Sequence, residues 1–80
     1  MGGVAITQPI TDEGAVVRLG AGLDTYTYFS GEAASVASLA SPSHQITRDS
    51  AHIDEGFLNL PHWHRVYNGV RLSGHSFFTI

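Results

Sequence analysis

"HWHRVYNGVRLSGH", residues 62–75, is the stretch whose reading decides the fold. Asn68-Gly69 predicts a two-residue type I′ turn, because both residue types tolerate positive φ. The turn pairs Tyr67 with Val70, and the register runs outward from there: Val66 with Arg71, Arg65 with Leu72, His64 with Ser73, Trp63 with Gly74, His62 with His75 and Leu60 with Phe77. Alternation then sorts the side chains onto two faces. Trp63, Arg65, Tyr67, Val70, Leu72, Gly74, Phe78 and Ile80 form a largely apolar face, the expected core side, with Trp63 lying over Gly74. His62, His64, Val66, Arg71, Ser73 and His75 form the other. Three of the chain's five histidines therefore fall in one patch.

Two imidazoles at i and i+2 on a strand, with a third across the ladder, can hold Zn²⁺ or another divalent metal and leave one coordination position open. The plainer reading is a polar histidine face that meets solvent or a neighbouring subunit. It is favoured on sequence grounds, because no Asp or Glu lies in the hairpin to orient the rings. The paired histidines of "PHWH", residues 61–64, are similar to the H-x-H of cupin metal sites. A cupin pattern continues with a glutamate, and here Arg65, Val66, Tyr67 and Asn68 occupy that stretch. The chain is also short for a double-sheet barrel, so the resemblance stops at about five residues.

Upstream, "AVVRLGAGLDTYTYF", residues 15–29, reads as a second hairpin with Gly20-Ala21-Gly22 as a three-residue loop. Pairing Leu19 with Leu23 sets Arg18 opposite Asp24 and Val16 opposite Tyr26. Before it, Thr11 to Gly14 reads as a turn, and Pro9 restricts the N-terminal segment to an edge strand or an extended arm spanning residues 1–13. Residues 30–43 are almost wholly Ser, Ala and Gly. They predict a short helix capped by Ser30, with Val36, Leu39 and Ala40 as its apolar stripe and Pro42 as its stop. Residues 44–56 read mostly as loop, with one short strand at Gln45–Arg48. The expected architecture is a single mainly β domain over residues 1–80: a small sandwich or open barrel of two hairpins, an N-terminal strand or arm and one Ser/Ala-rich helix.

Composition narrows the function. Eighty residues allow one small core, and domains of this size usually add disulfides, metals or partner subunits. There is no cysteine, so disulfides and thiolate metal sites are excluded. Charged residues make up 14% of the chain, and all four cations are arginine: Arg18, Arg48, Arg65 and Arg71. A net charge of −3 with scattered arginines is no nucleic-acid footprint. No apolar run is long enough to span a membrane, and the N-terminus lacks the pattern of a signal peptide, so synthesis in the cytoplasm is expected. Asp49, Ser50 and His52 read as a polar loop rather than a triad. Asp12-Glu13 and Asp54-Glu55, each followed by glycine, read as turns rather than calcium ligands. "GAGLDTY", residues 20–26, lacks the lysine of a phosphate loop.

The sparse charge and the apolar ending "HSFFTI" point to a covered surface, with Phe77, Phe78 and Ile80 as interface residues. The leading expectation is a non-enzymatic assembly protein that binds copies of itself or a larger assembly such as a capsid. A decoration or cement protein of a phage virion suits that composition, with no cofactor. The alternatives are a metal-binding β module using His62, His64 and His75, and a small inhibitor or adaptor of one protein target.

Overall fold

A computed structural model describes residues 8–49 and 60–79. Two helices lie on one face of a mixed sheet. The elements in chain order are α1 (Asp12–Gly20), β1 (Thr25–Thr27), α2 (Ser30–Ala40), β2 (Gln45–Asp49), β3 (His62–Tyr67), β4 (Val70–Arg71) and β5 (Ser76–Phe78). The sheet order is β1-β5-β3-β2, with β4 beside β3. β1 runs parallel to β5, and every other pairing is antiparallel. The domain is thus mixed α/β rather than mainly β. Among the described residues there is one sheet, with no second sheet to make a sandwich.

The first expected hairpin is a helix followed by a turn. Thr11 caps α1, its Oγ1 accepting from the Gly14 amide at 3.3 Å, while Asp12 and Glu13 occupy the positive end and Arg18 the negative end. The glycines end the helix. Gly22 has φ +82°, its amide donates to the Leu19 carbonyl, and the Leu23 amide reaches back to the Arg18 carbonyl. These two bonds and one left-handed residue make a Schellman motif. Arg18 does meet Asp24, but through Nε donating to the Asp24 backbone carbonyl at 2.9 Å, not across a ladder. The expected arm keeps only a short extended piece among the described residues, where the Ile10 amide bonds the Tyr26 carbonyl. Residues 1–7 lie outside them.

The Ser/Ala segment is helical over Ser30–Ala40, as its composition predicts. Phe29 takes the cap position in place of Ser30, and the Glu32 carboxylate accepts from the Tyr28 and Phe29 amides. The buried stripe is Ala33, Val36 and Ala37; Leu39 points outward and is 67% exposed. Small side chains let α2 lie close to the sheet, where the Ser76 hydroxyl donates to the Ala33 carbonyl at 2.9 Å. Ala15, Leu19, Val36 and Ala37 form the core, with Ile46 and Trp63 packed against it from the sheet. Arg65 is buried on this face and donates to the Ala40 and Ser73 carbonyls. Burial pushes its guanidinium below the usual arginine pKa. β2 covers the expected Gln45–Arg48 strand and extends it to Asp49.

The β3–β4 hairpin forms at the expected turn. Asn68 and Gly69 have φ +50° and +76°, and Tyr67 pairs with Val70 and Val66 with Arg71. The Leu72 amide also bonds the Arg65 carbonyl. Beyond that point the register departs from expectation. Trp63 pairs with Ser76 rather than Gly74, and His62 with Phe77 rather than His75. Two extra residues are absorbed around Ser73–His75. Gly74, at φ +90°, is wedged against the turn after α1, where a Cβ would lie 2.8 Å from the Leu23 carbonyl oxygen and 3.0 Å from Leu19 Cδ1. It is a glycine because of that approach, not because Trp63 covers it.

Candidate metal centre

His62 and His64 lie two residues apart on β3, so both point away from the helices. The Ser73–His75 excursion carries His75 to the same place. The ring centroids are 5.0 Å apart for His62–His64, 4.9 Å for His62–His75 and 4.7 Å for His64–His75. One nitrogen from each ring lies within 4.8 Å of those of the other two. The three histidines converge as expected, although His75 arrives from the excursion and not from across the ladder. Phe77, which occupies that position opposite His62, stacks on His75 at 5.2 Å and meets the edge of His62 at 5.2 Å.

The rings are sheltered. His62 is 0% and His64 6% exposed, and the His75 side chain is 16% exposed. His62 Nδ1 lies 2.8 Å from the Leu60 carbonyl oxygen. His75 Nδ1 lies 2.7 Å from Asp24 Oδ1, which also accepts from the His75 amide at 3.0 Å. Asp24 is the residue that sequence reasoning missed. It precedes β1, 51 positions from His75, and reaches it because β1 lies parallel to β5. Its proximity to Arg18 in sequence had suggested a different partner.

The donor set suits a borderline divalent ion. Zn²⁺ holds imidazole nitrogens at about 2.1 Å, which places tetrahedral ligands about 3.4 Å apart. The nitrogens, within 4.8 Å of one another, would have to draw closer to reach that spacing. The Phe77 ring supplies an apolar wall that strengthens ion–ligand attraction. Three protein ligands leave a position for water or an external ligand.

The other sequence candidates are not among the three ligands of this centre. Phe77 and Phe78, read as interface residues, are 0% and 2% exposed within the domain's own sheet, where the Arg48 guanidinium sits 5.3 Å over the Phe78 ring. Ile80, Ser50, His52, Asp54 and Glu55 lie outside the described residues, as does the side chain of Asp49. Among the described residues, no helix is long and apolar enough to cross a membrane. No protein-family model, curated protein or solved structure matches the chain.

Proposed function

We propose that the chain is a small metal-binding domain in which His62, His64 and His75 hold one divalent transition-metal ion, with Zn²⁺ the best fit. The observation that carries this reading is the meeting of three sheltered imidazoles, with ligand nitrogens within 4.8 Å of one another. Burying polar rings against Phe77 is costly for a domain with so small a core, and an ion returns that cost as folding energy. Because two of the three rings are almost wholly enclosed, the ion's main effect is to tie β3 to the Ser73–His75 excursion. Equilibrium dialysis tests the reading. The wild-type chain should bind one Zn²⁺, and His62→Ala, His64→Ala and His75→Ala should each reduce binding at least tenfold. Equal binding by all four proteins would reject it.

An assembly role, with a virion as its setting, is the second reading. Its support is a different set of residues: Val17, Leu39 and Val70 are 73%, 67% and 62% exposed, and the neighbouring Tyr28 and Phe29 are more than half exposed. Large apolar side chains in water favour a covering partner. Light scattering across a dilution series should then show a concentration-dependent oligomer, and a monodisperse monomer would remove this reading while leaving the metal site intact.

A further inference from the structure

We infer that Asp24 is a positioning residue for the metal site, fixing His75 so that Nε2 is its ligand atom. The inference rests on the metal reading and concerns how that site is built. A carboxylate can only accept hydrogen bonds when ionised. With Oδ1 at 2.7 Å from Nδ1, the proton of a neutral His75 ring belongs on Nδ1 and the lone pair on Nε2. The Leu60 carbonyl, also an acceptor only, imposes the same tautomer on His62.

The geometry around Asp24 makes this a rigid arrangement. The same Oδ1 takes the His75 amide proton at 3.0 Å, so one carboxylate oxygen grips backbone and ring together. Asp24 is itself held through its carbonyl by Arg18 Nε at 2.9 Å, and the next residue's amide, Thr25, bonds the His75 carbonyl at 2.8 Å. Gly74 packs against Leu23 beside it. The α1–β1 turn and the Ser73–His75 excursion therefore interlock, and the Asp24 carboxylate joins them to the imidazole cluster. A carboxylate hydrogen-bonded to the Nδ1–H also makes Nε2 a stronger donor to a cation. The ligand class that follows is a borderline ion that prefers neutral imidazole nitrogen, Zn²⁺ or Co²⁺, over the oxygen-seeking Mg²⁺ or Ca²⁺.

The test combines affinity with a spectrum of the metal-free chain. Competition against a chromophoric zinc chelator should show Asp24→Asn weakened about tenfold and Asp24→Ala about a hundredfold, the range that such outer partners command. Asparagine keeps one acceptor oxygen while losing the charge and the second oxygen, hence the smaller loss. Long-range ¹H–¹⁵N spectra of metal-free wild-type protein, recorded above the ordinary histidine pKa of about 6.5, should show His75 protonated on Nδ1. Asp24→Ala should shift that ring toward the other tautomer. Unchanged zinc affinity in both variants, or a wild-type His75 protonated on Nε2, would overturn the role given to Asp24. A wild-type chain that binds no zinc but shows the Nδ1 tautomer would reject the metal reading and not the positioning contact.

Discussion

On the face of the sheet that meets the helices, Trp63, Ile46 and Ser76 pack against Ala15, Leu19, Ala33 and Val36, and small side chains bring α2 close enough for a hydroxyl to reach a helix carbonyl. On the reverse face, no helix lies among the described residues, and His62, His64 and His75 gather together, with Phe77 against His62 and His75. The first face has the materials of a core. The second places polar imidazoles in buried positions, where desolvation is costly unless their nitrogens are partnered. On the proposed metal reading, labour divides across the thickness of one sheet, with the apolar core on the helix side and the ligand set on the other.

Changes to each side should separate these contributions. The largest effect is expected on the helix side. Leu19→Ala opens a cavity under α1 and should cost about 2 to 5 kcal/mol in urea denaturation, with or without zinc. Next is zinc itself. Addition at about 100 times its dissociation constant should stabilise the wild-type chain by about 2.7 kcal/mol, and His64→Ala, its site weakened at least tenfold, should keep about 1.4 kcal/mol of that increment or less. A domain equally stabilised by zinc after loss of His64 would break the division. The smallest expected effect is a gain. The hydroxyls of Thr25 and Thr27, both at least 99% buried, make no hydrogen bond among the described residues. Thr27→Val removes one unpaired group at nearly constant shape and should raise stability by about 1 kcal/mol, leaving zinc affinity unchanged.

Some of this was legible in the chain and some was not, for reasons that can be assigned to residues. Asn68-Gly69 fixed the turn because two adjacent positive-φ positions admit few other residues. The two faces of β3 followed from that turn alone. The register beyond Leu72 did not, since no local rule announces two extra residues at Ser73–His75. Parity rescued the site: an excursion of two residues restores the alternation, so His75 still joins His62 and His64. An odd number would have reversed the faces. α1 was misread because Val16-Val17 favours strand and Gly20-Ala21-Gly22 resembles a hairpin loop. The competing signals were present in the Thr11 cap, the acidic first turn, the Ala15–Leu19 spacing and Arg18 near the end. They failed because a glycine at a helix C′ position and a glycine in a hairpin loop look alike until a partner strand is known. Asp24 was invisible for the same cause, as its contact with His75 exists only once β1 and β5 are seen to be parallel.

X-ray absorption at the zinc edge of the loaded chain reads the three-histidine coordination itself. Three imidazole nitrogens at about 2.0 Å, with the outer-shell scattering of their rings and one further light ligand, are the predicted result, and the nitrogen count should fall to two in His64→Ala. A shell of oxygen neighbours without imidazole scattering, or one that His64→Ala leaves unchanged, would contradict it.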